Sequence, residues 1–310
     1  MNPQNTWMNG RIVAWDDSRI HVNTDAVLRG ASVFEGLRAY RSADGDDLLL
    51  FRVADHMHRL FGTSMRFLRM RAPYGPDELL QGVVDLLHAN EVRDDAHVRV
   101  VVYFDEVAVG HEVDGATGAF ILAFQRPQSP RLTTGVRTTL SPWRRLSDSA
   151  MSPRVKASAN YLNGRVAGVD ARTKGFDTPV MLNDQGKVSE GPGQNVFLVR
   201  DGVLITPRTT DAILEGITRA TVIGLARDRG IPVEEREVDP TELYIADELL
   251  FAGTAWEVTP VVEIDGYRVG DGAMGPLTSQ LQTAYFDLVR GRAEAPAGWL
   301  TSVYRERVPA

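Results

Sequence analysis

Two α/β-type domains are what the sequence predicts, on three observations. The chain has 310 residues and 34.2 kDa, more than one hydrophobic core usually serves. Strand and helix signals alternate along it, and a polar stretch with two prolines lies near the middle. Leu48–Phe51 reads as a short apolar strand. Asp55–Phe67 reads as an amphipathic helix with Met57, Leu60, Phe61, Ser64 and Leu68 on one face and Arg59 off it. A second helix is expected over Pro76–Ala89, then two hairpin neighbours, Val98–Phe104 and Ala119–Phe124. Gln125–Thr134, with Pro127 and Pro130, is the best linker. It sets a smaller α/β N-terminal domain at 1–126, an interdomain linker at 127–134 and a larger C-terminal domain at 135–310 that carries Lys156.

Beyond the linker the pattern predicts a strand at Val136–Leu140, a helix at Asn160–Lys174 and a strand pair, Pro179–Leu182 with Asn195–Val199. That pair flanks Val188-Ser189-Glu190-Gly191-Pro192-Gly193, where glycine on both sides of proline lets backbone approach a ligand and puts Glu190 on a loop. Leu214-Glu215-Gly216-Ile217-Thr218-Arg219 opens a helix through Arg227, and its Gly-Ile-Thr start offers backbone N–H groups and a hydroxyl to an anion. Val233–Val238 and Glu248–Ala252 read as strands, the second running into a further backbone-donor corner, Gly253-Thr254-Ala255. The stretch after Gly291 reads as a loop before Trp299.

Composition narrows the chemistry. With 43% hydrophobic and 24% charged residues the chain is of the soluble globular kind, and no apolar run nears the ~20 residues that span a bilayer. A net charge of −7 offers no basic field for nucleic acid, and the absence of cysteine excludes disulfides and thiolate metal sites. Neither nucleic acid, membrane nor metal is expected as a partner. The amino terminus lacks the features of a signal peptide, so a cytoplasmic location is expected.

Lysine occurs only at 156, 174 and 187, against thirty-one arginines. Lys174 and Lys187 sit in turn-like contexts and read as exposed charges. Lys156 is flanked by Val155, Ala157, Ser158 and Ala159, which leave little to hydrate an ammonium and favour the neutral, nucleophilic amine. Composition leaves two readings open, a nucleophile or a snorkelling lysine at a domain seam. Four pieces then require one explanation: this lysine, the loop carboxylate Glu190, the helix start at Gly216-Ile217-Thr218, and arginines inside apolar segments. Pyridoxal 5'-phosphate (PLP) chemistry uses all four. A lysine forms a Schiff base and carries a proton, an acid faces the pyridine nitrogen, and a helix start with a cation, Arg59, holds the phosphate. Arg99, in the apolar strand Val98-Arg99-Val100-Val101-Val102, is expected to meet an anion or a carbonyl.

The markers Gly30-Ala31-Ser32-Val33-Phe34-Glu35-Gly36-Leu37-Arg38, Phe51-Arg52 through His56-Met57-His58-Arg59-Leu60, Lys156 with Asn160-Tyr161-Leu162, Ser189-Glu190-Gly191, Leu214 to Arg219, and Gly253 to Pro260 follow in order. On them the chain resembles the class IV, or fold type IV, PLP-dependent aminotransferases, most closely the branched-chain amino acid aminotransferases. That resemblance spans nearly the whole chain. It implies a D-amino-acid-aminotransferase-like α+β / α/β two-domain fold with PLP at the domain interface, and a homodimer or higher homo-oligomer. It implies Lys156 as the Schiff-base lysine, Glu190 beside the pyridine nitrogen, Tyr161 near the cofactor O3′ and Leu214 on its ring. Arg59, Ile217, Thr218 and Thr254 would bind phosphate, and Thr254-Ala255 the substrate carboxylate. Phe34, Gly36 and Arg38 keep the branched-chain pattern of the substrate pocket.

The sequence departs from the family at Arg29, His97 and the Ser129 region, where tyrosines usually stand, and at His111-Glu112-Val113-Asp114, usually small and apolar. Arg29, Arg38 and Arg99 together would make a more cationic pocket. The resulting expectation is a transaminase acting on a branched-chain or related L-amino acid and a 2-oxo acid such as 2-oxoglutarate, by ping-pong chemistry on Lys156. A transaminase for D-amino acids, (R)-amines or a specialised biosynthetic intermediate, and an aminodeoxychorismate-lyase-like PLP lyase, are the alternatives.

Overall fold

The computed structural model describes residues 3–106 and 115–305, and the expectation about His111-Glu112-Val113-Asp114 lies outside the described residues. Two compact units emerge: Met1–Pro127 with Val155–Ala159 and Asp287–Ala310, and Gln128–Arg154 with Asn160–Phe286. This differs from the domain expectation in two respects. Val155–Ala159, and with it Lys156, belongs to the first unit because Ala157 bridges to Val33, and the C-terminal residues belong there because Leu300–Ser302 pairs with Leu49–Phe51. The expected linker also holds a turn of helix, Arg131–Thr134, with Leu132 buried.

The first unit begins with β1 (Asn5–Met8) and β2 (Arg11–Ala14), followed by the short helix α1 (Asp25–Leu28), β3 (Ser32–Arg41) and β4 (Leu48–Phe51). Then come α2 (Val53–Arg59), α3 (Pro76–Ala89), β5 (Ala96–Phe104) and β6 (Thr117–Gln125). The seven-stranded sheet is antiparallel throughout, in the order C-terminal strand, β4, β3, β5, β6, β1, β2. Alternation along β5 buries Ala96, Val98, Val100 and Val102 on one face, and Leu79, Val83, Leu86 and Leu87 of α3 are buried where that helix packs on β1, β5 and β6. Pro76 at the first helical position and Glu78, accepting from the Gly75 N–H at 2.7 Å, start α3 where the sequence places it.

The helix expected over Asp55–Phe67 is α2 running on into a π-helical turn, Leu60–Met65. Arg59, three residues after the buried His56, lies inside with it and Leu60; Met65 is also inside and Phe67 is exposed.

In the second unit follow α4 (Arg131–Thr134), β7 (Val136–Leu140), α5 (Asn160–Thr173), β8 (Thr178–Val180), β9 (Asn195–Arg200) and β10 (Val203–Thr206). Then come α6 (Ile217–Arg227), β11 (Val233–Glu235), β12 (Glu248–Gly253), β13 (Glu257–Ile264), β14 (Tyr267–Arg268) and α7 (Pro276–Val289), within which the chain passes back to the first unit. The sheet order is β11-β10-β9-β12-β13-β7-β8, with β14 beside β13. Val136, Val180, Leu198, Ile205, Phe251 and Val261 lie in its core. The expected strand pair is not a pair: β8 adds in parallel to β7, and β9 lies between β10 and β12. Instead the chain after β8 bonds to the Glu190 loop, Met181 N–H to Glu190 O at 2.9 Å and Ser189 N–H to Met181 O at 2.9 Å. The strand expected at Val233–Val238 stops at Glu235, which pairs with Thr206, the last residue of β10. Among the described residues no helix is long and apolar enough to cross a membrane.

One glycine tests the packing of the first unit. A Cβ on Gly82 would stand 2.8 Å from Cε2 and Nε1 of the Trp7 indole and 3.0 Å from Ile121 Cδ1. Alanine is the better helix former by ~1 kcal/mol, yet overpacking against a rigid ring costs ~1–3 kcal/mol. Gly82→Ala is therefore expected to lower the melting temperature in calorimetry; a rise would show that the indole yields.

Candidate functional site

Lys156 lies on an extended strip held against β3. Its carbonyl accepts from the Phe34 N–H at 3.0 Å, its own N–H donates to Ser64 Oγ at 3.1 Å, and Ser158 N–H donates to Ser32 O at 2.9 Å. Ser64 is fully buried and belongs to the π-helical turn, so that irregular turn supplies one of the anchors. With backbone fixed on both sides, the half-buried Lys156 carries Nζ 4.8 Å from the centroid of the Phe34 ring. Lys174 and Lys187 are bonded to Asp170 and Asp239 at the surface.

Arg59 is buried, not on the solvent side of its helix. Its Nε and Nη2 donate to the two oxygens of Glu35, each at 2.7 Å, and His56 Nδ1 meets Glu35 Oε2 at 2.7 Å. Glu35 has no exposure at all. Burial pushes its carboxyl up, but Arg59 and His56 together outweigh that and hold it at about 2. Sequence reasoning quoted Glu35 only within a motif. The signal was its place between Val33 and Leu37 on the buried face of a strand, where a carboxylate needs a cation.

The opposite face of β3 and β5 carries Phe34, Gly36, Arg38, His97 and Arg99, with Gly36 opposite Arg99 and Arg38 opposite His97. Gly36 gives the room His97 occupies, since a Cβ there would lie 3.0 Å from His97 Cε1. Burial first, then Arg126, Arg99, Arg38 and Lys156, push His97 down to about 3, so the imidazole is neutral. Its buried Nδ1 meets no partner among the described residues. The arginines divide. Arg38 is buried and donates to Arg126 O at 2.8 Å, with Asp95 at 3.9 Å, whereas Arg29 is half exposed and ion-paired to Asp25. Among the described residues Arg99 has no carboxylate or carbonyl partner of the kind expected for it; its side chain is exposed, 5.2 Å from the Phe34 centroid.

The second unit brings together Glu190, Leu214, Gly216, Ile217 and Thr218. Glu190 is buried and accepts from Arg145 Nε at 2.8 Å, Asn195 Nδ2 at 2.9 Å and the Leu214 N–H at 3.1 Å. Asn195 Nδ2 also donates to Leu214 O at 3.0 Å, which ties the loop before α6 to the carboxylate. Arg145 was not found from the sequence. Gly216 is the N-cap of α6 and has no side chain to cap the first turn; a Cβ there would collide with Asn195 Oδ1, at 2.0 Å. Tyr161, in the first turn of α5, lies near Gly193, whose added Cβ would be 3.8 Å from Tyr161 Cε1. Thr254 and Ala255 form the half-buried tip between β12 and β13, and their N–H groups meet no acceptor among the described residues. These donors suit anionic groups, and a fixed carboxylate suits a protonated ring nitrogen. Among the described residues no group of three or more His, Cys, Asp or Glu side chains is placed to hold a metal.

The family profile described as amino-transferase class IV matches residues 32–264. The branched-chain-amino-acid aminotransferase of Escherichia coli K12 is 37% identical over 302 residues, 96% of each chain. A solved structure of the E. coli branched-chain amino acid aminotransferase superposes with a TM-score of 0.93 at 36% identity, covering 97% of this chain and 99% of that one. The T.th. branched-chain amino acid aminotransferase complexed with N-(5'-phosphopyridoxyl)-L-glutamate gives 0.91 at 34% identity, over 97% of this chain and 99% of that one. The Thermobaculum terrenum enzyme in its PLP form gives 0.91 at 40% identity, over 98% and 99%.

The neutral His97 has a pH signature. Its folded value of about 3 lies below the ordinary 6.5, so the unfolded chain binds more protons between the two and stability rises with pH there. His97's contribution is complete above 6.5 and is lost as pH falls toward 3; His56, pushed down by burial, acts in the same sense. The melting temperature is expected to fall between pH 6.5 and the carboxylate range. In His97→Gln the fall should be shallower, by at most about 1.4 kcal/mol per pH unit. Equal slopes for the two proteins would contradict a neutral His97.

Proposed function

Because the chain belongs to the class IV aminotransferase family, we propose that it moves the amino group of a branched-chain L-amino acid to a 2-oxo acid such as 2-oxoglutarate, in two half-reactions with PLP attached to Lys156. The observation that carries this reading is the hold on Lys156: backbone bonds to Phe34 and Ser64 fix the strip, so that Nζ stands over the Phe34 ring. The donor sets of the two units fit the cofactor chemically. When bound, PLP supplies the electron sink that acidifies the substrate Cα–H and stores the amino group between half-reactions.

The chain's own groups do the rest. Lys156 Nζ would be the point of attachment and the base that moves the proton at the substrate Cα. Glu190 keeps the ring nitrogen protonated, and Arg145, Asn195 and the Leu214 N–H keep Glu190 ionised and in place. Arg59, Gly216, Ile217, Thr218 and Thr254 would hold the phosphate, Tyr161 the O3′ and Leu214 the ring. The N–H groups of Thr254 and Ala255 take the substrate carboxylate. Phe34, Gly36, Arg38, His97, Arg99 and Arg29 are assigned to the substrate side chain, Phe34 as an apolar wall and neutral His97 as a polar one. A relative crystallised with a phosphopyridoxyl-glutamate adduct supports glutamate and 2-oxoglutarate as one pair. The protein is taken to work as a homodimer, a reading supported by the exposed Leu162, Val166 and Val169 along α5.

Single-turnover release of 2-oxo acid from PLP-loaded protein tests the proposal. L-Leucine and L-glutamate should each yield up to one equivalent of their 2-oxo acid per chain, and Lys156→Ala should yield none. Product from D-alanine or (R)-1-phenylethylamine with L-leucine inert would overturn the substrate assignment. Pyruvate formed from aminodeoxychorismate without an acceptor would identify a lyase.

A further inference from the structure

The cluster of Glu35, His56 and Arg59 goes beyond what the reaction itself requires. Glu35 is fully buried on the helix-facing side of β3, and its partners among the described residues are two nitrogens of Arg59 and one of His56. Holding a guanidinium at both Nε and Nη2 fixes its plane and stops rotation about Cδ–Nε, leaving Nη1 as the nitrogen Glu35 does not hold. His56 is pushed down by burial and stays neutral, so its Nδ1–H donates to Glu35 and adds no charge. The Glu35–Arg59 pair is also net neutral. A carboxylate beside a phosphate-binding arginine subtracts from its attraction, so charge alone does not account for Glu35.

We propose that Glu35 and His56 are positioning residues that hold the Arg59 guanidinium in one orientation for the cofactor phosphate, so that phosphate affinity depends on orientation more than on net positive charge. This rests on the reading of Arg59 as a phosphate ligand. The two explanations predict opposite signs. Removing the negative charge in Glu35→Gln tightens phosphate binding if field strength governs. It weakens binding if orientation governs, because the amide can accept from one Arg59 nitrogen but turns a donor toward the other.

The test compares affinities of full-length, cofactor-depleted protein for PLP and for pyridoxal, which lacks the phosphate, by quenching of tryptophan fluorescence. Wild type, Glu35→Gln, Arg59→Ala and the double variant form a cycle. Glu35→Gln should weaken PLP about tenfold and pyridoxal less than about twofold, and Arg59→Ala should weaken PLP by about a hundredfold. The double variant should be no weaker than Arg59→Ala alone. Equal or tighter PLP binding by Glu35→Gln overturns the positioning role. A PLP-to-pyridoxal ratio left unchanged by Arg59→Ala overturns the phosphate reading of Arg59 and this inference with it; a ratio moved by Arg59→Ala and not by Glu35→Gln overturns the inference alone. Should Glu35→Gln fail to fold, Glu35→Asp, which keeps the charge and shortens the reach, is judged by the same ratio.

Discussion

The place of Lys156 depends on an edge that β3 leaves open. β5 pairs with β3 from Ser32 to Ala39, but β4 on the other side pairs only with Ala39–Arg41. Ser32 to Phe34 would therefore present unpaired N–H and C=O groups along one side, and Val155–Ala159 satisfies them. Gly30, at φ +66, lets the chain turn into β3 while Ala159 lies close, within 3.6 Å of where a Cβ would be. Register does the remaining work. Side chains alternate along an extended strip, so a slip of one residue would turn Lys156 away from the Phe34 ring and bring Ala157 or Val155 there instead.

How much of this was legible in the sequence varies residue by residue. Lys156 stood out because lysine is scarce, and the Gly216 helix start because glycine, isoleucine and threonine open an apolar helical run. The strands and helices with clear periodicity, Pro76–Ala89 and Val136–Leu140 among them, appear with the bounds expected. Arg59 reads as off the apolar face because periodicity counts only apolar residues, and nothing local announces the buried carboxylate, Glu35, that it shares with His56. Arg99 is exposed although Phe34, Arg38 and Val101 on its face of the sheet are buried, and an apolar run carries no local signal of one open position within it. Arg145 carried no local signal, since its partner Glu190 lies 45 residues further on.

Glu35 in the first unit and Glu190 in the second are each buried beside an arginine, and the two are satisfied differently. Glu35 turns both oxygens to Arg59 and a neutral imidazole, all within the first unit. Glu190 gives Oε1 to Arg145 and Oε2 to two uncharged donors, Asn195 and the Leu214 N–H. In both, the charge is balanced by one guanidinium and the geometry by neutral groups, which is the condition for the attraction within a buried pair to offset its desolvation. The neutral donors also stiffen the carboxylate without further cations. Asn195 links Glu190 to the chain just before α6, so the carboxylate and the helix start are held as one piece.

Turn length decides whether the tip between β12 and β13 has anything to offer a ligand. Three other hairpins close on two residues with left-handed backbone, Asn9-Gly10, Asp201-Gly202 and Asp265-Gly266, the tight turns that match strand twist. Between β12 and β13 there are three residues, Thr254 to Trp256, and the left-handed backbone falls just after them, at Glu257, the first residue of β13, at φ +55. The Trp256 N–H closes the turn on Gly253 O, Arg131 Nη2 donates to Ala255 O, and Thr259 Oγ donates to Trp256 O. Arg131 also lies 4.0 Å from the Trp256 ring centroid, and Gly253 sits so near Gly193 O that an added Cβ would be 3.1 Å away. The carbonyls of Gly253, Ala255 and Trp256 are thus occupied, while among the described residues the N–H groups of Thr254 and Ala255 are not. A tip with its acceptors taken and its donors open is selective by construction: it would favour a carboxylate or a phosphate over a cation, and donors held on a short turn would need little rearrangement to meet an anion.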